Sequence, residues 1–266
     1  MVEKNISTIP ILEGIKRSEG CPLCYLWLKN EERLMEYLLK NEVAMDAQFR
    51  KKILAAKGFC NRHMHLLYKT FNRGHTENGL GYATYMKEVI ERIIEQFSSL
   101  SPGILNSLKD SANSNIFVSR RKRKSTFSLF SDTLEKVVHG EVPCPACEYL
   151  WSSDERYLHT LIQMLDKKDF QQEFKTSKGL CLSHFMSAIK CVSRNTPKNP
   201  SAIAQTLVEV EMKRLKLTVD CLQEYIKKHR WEFKNDVFGE EAAANQMVLS
   251  LIAGVEGLSF RVHLKK

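Results

Sequence analysis

Apolar residues recur at intervals of three and four through most of this chain, with Lys and Glu between them, which is the signature of one-sided helices rather than strands. The pattern predicts helix from Tyr25 to Leu39, where Leu26, Leu28, Leu34, Leu38 and Leu39 carry the apolar face, and again from Asp46 to Ala56. Gly58 ends that second stretch. A further helix is expected from Cys60 through Leu67 to Phe71, followed by a Gly-rich turn and a longer helix over Tyr82 to Phe97. That helix has Tyr85, Val89, Ile93 and Phe97 on one stripe and Glu88 and Arg92 spaced as an i, i+4 pair.

The pattern then changes. Ser98 to Ser128 is rich in Ser, Asn, Pro and Gly and ends in basic residues, so it reads as an irregular connection. Beyond it the helical spacing resumes over Glu148 to Leu165, Asp169 to Phe174, Cys181 to Ile189 and Ala202 to Lys228, with one more helix expected between Gly239 and Gly254. The fold class expected is all-α. Sparse glycine and proline, 12 and 7 residues of 266, agree with it, and a hydrophobic fraction of 43% is enough for packed cores.

The second half echoes the first. Cys21-Pro22-Leu23-Cys24 returns as Cys144-Pro145-Ala146-Cys147, and Gly58-Phe59-Cys60-Asn61-Arg62-His63 returns as Gly179-Leu180-Cys181-Leu182-Ser183-His184. Glu32-Arg33 and Glu155-Arg156 stand at matching positions, as do Asp46 and Asp169. These agreements predict internally duplicated helical units. The expected organisation is a first helical metal-binding repeat over 1–110, a basic linker over 111–142, a second repeat over 143–232, and a C-terminal helix and tail over 233–266.

Two residues between cysteines let both sulfurs reach one ion, and a Cys and a His three apart in a first helical turn face the same side. Each copy therefore offers three thiolates and an imidazole: Cys21, Cys24, Cys60 and His63 in the first, Cys144, Cys147, Cys181 and His184 in the second. That donor set favours two structural zinc ions, each contributing about 10–16 kcal/mol of apparent folding energy. Iron–sulfur clusters on the same ligands, serving electron transfer, are the alternative cofactor. The half-sites can close within a copy or exchange between copies; closure within a copy is the simpler expectation. Glu32, Arg33, Glu155 and Arg156 are candidates to orient the histidines.

Cys191 and Cys221 have no counterpart in the first copy and read as packed residues. The net charge of +9 draws much of its excess from Arg120, Arg121, Lys122, Arg123 and Lys124, a run that could contact a polyanion and makes nucleic-acid binding a further alternative. No phosphate loop, HExxH pair or Ser-His-Asp arrangement is present, so no catalytic residue and no small-molecule substrate are assigned. The late apolar segment Met247 to Leu258 is too short and interrupted to span a bilayer, and the start carries no apolar export segment. A cytoplasmic interaction or scaffold module with a protein partner is the expectation.

The order CPxC then GxCxxH, followed by His229-Arg230 and by Gly239-Glu240-Glu241 ahead of an apolar helix ending at Gly254, resembles a prokaryotic family of helical proteins of unknown function. The resemblance spans most of the chain. It implies a repeated metal site and supplies no activity.

Overall fold

The computed structural model describes residues 4–73, 79–112, 128–138, 140, 142–195, 197–233 and 235–256. Among these, regular structure is helical throughout and no strand occurs. The α-helices are α1 (Thr8–Arg17), α2 (Pro22–Leu38), α3 (Asn41–Met45), α4 (Ala47–Ala55), α5 (Asn61–Asn72), α6 (Leu80–Ala112), α7 (128–138), α8 (Pro145–Leu165), α9 (Lys168–Lys175), α10 (Leu182–Asn195), α11 (Pro200–Lys228) and α12 (Ala244–Ile252). Short 3₁₀ turns at Trp231–Phe233 and Glu240–Ala243 precede α12. No helix among the described residues is long and apolar enough to cross a membrane.

Two departures from the sequence pattern matter. The irregular connection expected from Ser98 does not begin there, because α6 runs on to Ala112. It does so through Pro102 and Gly103, although an interior proline costs a helix one hydrogen bond and about 3 kcal/mol. Within 111–142, residues 128–138 are also helical, with Val137 buried. The basic run Arg120 to Lys124 lies outside the described residues.

The chain divides into two compact units, residues 31–149 and residues 1–30 with 150–266, and the division falls inside α2 and inside α8. In the unit built from 1–30 and 150–266, α11 packs against α9, α10 and α12. Its core joins Ile11, Leu23 and Leu26 to Leu161, Phe170, Phe174, Leu180, Ile203 and Leu207. Phe170 and Phe174 lie one helical turn apart with ring centroids 6.4 Å apart, and truncating either to Ala would cost about 3–5 kcal/mol.

In the unit built from 31–149, α6 packs against α3 and α4. Tyr85 and Val89 are its buried stripe, and Phe49 meets the Tyr85 ring edge-on at 6.1 Å. Gly81 permits close approach: a Cβ there would stand 3.2 Å from Ala44 Cβ and 3.3 Å from the Leu39 carbonyl oxygen. Glu88 does not pair with Arg92. It accepts from Arg50 Nε on α4 at 2.9 Å, while Arg92 bonds Glu95 at 3.0 Å.

The end of α4 sets the approach to the first Cys-His pair. Asp46 caps the start of α4 by accepting from the Gln48 and Phe49 amides at 2.8 and 3.0 Å. At the other end the Lys57 amide bonds the Leu54 carbonyl and the Gly58 amide bonds the Ile53 carbonyl, with Lys57 left-handed at φ 58°. This is a Schellman stop. Gly58 then follows at φ 98°, and its counterpart Gly179 stands at 76°. A side chain is disfavoured at such angles, so glycine lets the chain turn sharply into the cysteine that follows.

Candidate metal centres

All four ligand pairs are built in the same way, at the N-terminus of a helix. Cys21, Cys60, Cys144 and Cys181 each stand immediately before the first residue of α2, α5, α8 and α10, and each carbonyl accepts the first helical hydrogen bond, at 3.1, 2.9, 3.0 and 2.8 Å. The second ligand of each pair is the third helical residue, so both donors point off the same end. Pro22 and Pro145 occupy the first helical position, where a missing N–H costs nothing and φ is already helical. The CxxC helices thus start three residues earlier than their apolar pattern predicts.

Cys21, Cys24, Cys181 and His184 form one cluster and Cys60, His63, Cys144 and Cys147 the other, with the donor atoms of each within 4.8 Å of one another. The half-sites therefore exchange: each CxxC closes with the CxxH of the other copy, correcting the expectation of closure within a copy. Sequence proximity is a weak guide here. Cys24 and Cys181 are 157 residues apart, yet enlarging the closed loop from the interval between Cys24 and Cys60 costs only about 1 kcal/mol of chain entropy. Each exchanged cluster lies inside one compact unit.

In the first cluster His184 Nδ1 lies 3.4 Å from the sulfurs of Cys21 and Cys24 and 3.2 Å from that of Cys181, and the Cys24 and Cys181 sulfurs are 3.6 Å apart. In the second, His63 Nδ1 lies 3.2, 3.6 and 3.3 Å from Cys60, Cys144 and Cys147, and the Cys60 and Cys147 sulfurs are 3.7 Å apart. Both imidazoles turn Nδ1 inward. Their other nitrogens meet carboxylates: His184 Nε2 donates to Asp154 at 3.1 Å, and His63 Nε2 stands 3.2 Å from Glu31, close enough for an ion pair though not aligned as a hydrogen bond.

Glu31 is 5% exposed and held by a two-pronged bond from Arg62, at 2.8 and 2.7 Å. Burial alone would raise its carboxyl, but His63 and Arg62 together hold it below the usual range. These two carboxylates replace the candidates chosen from sequence. Glu32 makes an exposed pair with Arg73, Arg33 and Glu155 are exposed, and Arg156 bonds the hydroxyls of Ser152 and Ser153. Glu31 and Asp154 are 123 positions apart, the same interval as Cys21 and Cys144, so the matched spacing carried the signal. The identical Glu-Arg pairs one residue later drew attention away from it.

The electrostatics call for positive charge at each centre. Burial works against a charged imidazole, yet Cys144, Cys60 and Glu31 push His63 up to about 11, and the Cys21 charge and Asp154 hold His184 well above its ordinary value. Among the sulfurs, contact with Cys21 and Cys24 favours the thiolate of Cys181, and contact with Cys181 and Cys21, with burial, keeps the proton on Cys24. The second cluster repeats this division, with Cys60 lowered by Cys144 and Cys147, and Cys147 raised by Cys144 and Cys60. A divalent cation would meet the same demand and take up all three thiolates together.

The remaining cysteines stand apart from both clusters. Cys191 accepts from Asn195 Nδ2 at 2.9 Å and Cys221 is buried on α11. The basic run Arg120, Arg121, Lys122, Arg123 and Lys124 has no described placement. Sequence reasoning also missed Arg214 and the buried Glu211 on α11, near the peptide that precedes Cys181. Arg214 Nη1 donates to the Leu180 carbonyl.

No curated protein and no solved structure matches the chain. A scan of protein families matches residues 1–255, nearly the whole length and including every member of both clusters, to the family of unknown function DUF6062. The chain belongs to that family, an all-α protein with two Cys/His clusters suited to metal.

Proposed function

We propose that each cluster binds one Zn(II) as a closed structural site, and that the protein is an interaction or scaffold module whose helices those ions fix in place. The spacing of the donors carries this reading. A tetrahedral ion with Zn–S bonds of about 2.3 Å separates two sulfurs by about 3.8 Å, and a sulfur from a nitrogen by about 3.6 Å. The sulfur pairs at 3.6 and 3.7 Å and the sulfur–nitrogen separations of 3.2 to 3.6 Å fit one ion per cluster. A multi-iron cluster would spread the same four ligands wider, because several metal atoms stand between them.

Four protein donors complete a tetrahedron and leave no position for substrate, which distinguishes a structural from a catalytic zinc site. The ion would join two helix N-termini whose dipoles already favour thiolate. Asp154 and Glu31 would orient the imidazoles and keep Nδ1 free of a proton. Val208, Met212, Val219 and Ile226, each about half exposed along α11, give the module apolar surface of the kind a protein partner covers.

Elemental analysis of full-length protein purified without oxygen tests the metal reading. Colourless protein with about two zinc per chain is the expected result for closed sites of this type. A brown preparation containing iron and acid-labile sulfide would overturn it.

A further inference from the structure

The two clusters share a donor set but differ in access and in support. Cys21, Cys24 and Cys181 are all buried, whereas Cys60, Cys144 and Cys147 are each partly open to solvent. The first cluster also has a clamp. Arg214 donates to the carbonyl of Leu180, the residue before Cys181, and is itself held by Ser250 at 3.1 Å.

The second cluster has no such clamp at the corresponding positions. A Cβ added at Gly58 would stand 3.8 Å from Val89 Cγ1 on α6, as one at Gly179 would stand 3.3 Å from Val210 Cγ1 on α11, which fixes the correspondence between the two long helices. In that register Glu211 and Arg214 correspond to Ile90 and Ile93. The backbone before Cys60 thus lacks the guanidinium that pins the backbone before Cys181.

We propose that Cys60, Cys144 and Cys147 form a thiol-reactive centre from which a peroxide releases the metal, while the Cys21, Cys24, Cys181 and His184 centre keeps its ion; this rests on the reading that both clusters bind metal. Exposure governs which thiolates an oxidant reaches. One thiolate attacks the peroxide, the O–O bond breaks, and a sulfenic acid and hydroxide form. A second thiolate of the same centre then attacks that sulfur and expels hydroxide, forming the S–S bond. Two thiolates thus supply two electrons, two protons from solvent convert both hydroxides to water, and the ion loses two of its four ligands. Cys60 and Cys147, with sulfurs 3.7 Å apart, are within reach of such a bond after a small approach.

The test uses full-length protein whose metal content has first been measured at two zinc per chain; a lower content at that step contradicts the metal reading itself. Hydrogen peroxide is added beside a chromogenic zinc chelator, and thiols and disulfides are mapped by alkylation and mass spectrometry. The expected result is release of about one equivalent, with a disulfide within the Cys60, Cys144 and Cys147 set, at a rate at least roughly tenfold above release from the buried set. Dithiothreitol and zinc should restore the starting state. Release of both ions together, earlier oxidation of Cys21, Cys24 or Cys181, or no release at all would overturn the proposal while leaving the measured zinc content intact.

Discussion

Glu31→Gln probes how the second cluster is held. The carboxylate is nearly buried, receives both prongs of the Arg62 guanidinium and stands 3.2 Å from His63 Nε2. Glutamine preserves the volume and one acceptor oxygen but removes the charge, and its amide nitrogen must face either Arg62 or His63, both of them donors. Loss of a carboxylate that orients a metal-bound histidine typically lowers affinity about 10- to 100-fold, or about 1.4–2.7 kcal/mol. Competition against a chelator of known affinity should show one weakened ion and one unchanged. Cobalt substitution gives a second readout, because a reoriented imidazole shifts the ligand-field bands of one centre only. Asp154→Asn should transfer the effect to the other ion. An unchanged affinity for both ions in Glu31→Gln, or equal weakening of both, would refute the assignment of Glu31 to His63.

Removing the cap of α4 by Asp46→Ala deletes the carboxylate oxygen that accepts from two amides and should cost about 1 kcal/mol, read as a lower urea midpoint with an unchanged slope. Glu211 gives a pH signature: burial pushes its carboxyl up to about 7 from 4.5, so it is protonated in both states at low pH. Between those values the unfolded chain ionises while the folded chain keeps the proton, so its contribution to stability falls as pH rises through the window. Glu211→Gln should therefore gain on the wild type as pH rises from 4.5 to about 7, and a pH-independent difference in denaturation would count against a buried, raised carboxyl.

Membership of the two Cys/His clusters was legible because chemistry and spacing suffice for it: Cys and His at i and i+3 face one way on any helix start. The histidine partners were legible only in part. A residue seven beyond Cys24 or Cys147 falls two turns along the same helix, and Glu31 and Asp154 satisfy that rule in both copies. The early start of α2 and α8 was hidden because Cys is no usual cap, so the CPxC segment reads as a turn until the proline is seen at the first helical position. Pairing of half-sites was not legible at all. Loop entropy distinguishes near from distant partners by about 1 kcal/mol, far less than an ion contributes, so separation along the chain does not select the partner. The continuation of α6 past Pro102 was not legible, because a proline inside a helical pattern normally ends the helix at the preceding residue.

The exchange of half-sites is tested most directly by the metal content of Cys24→Ser/Cys181→Ser. The two sulfurs are 3.6 Å apart in one cluster, so both substitutions should damage a single centre and leave about one zinc per chain at Cys60, His63, Cys144 and Cys147. Loss of both ions would mean that Cys24 and Cys181 serve different centres, and would contradict the exchanged arrangement.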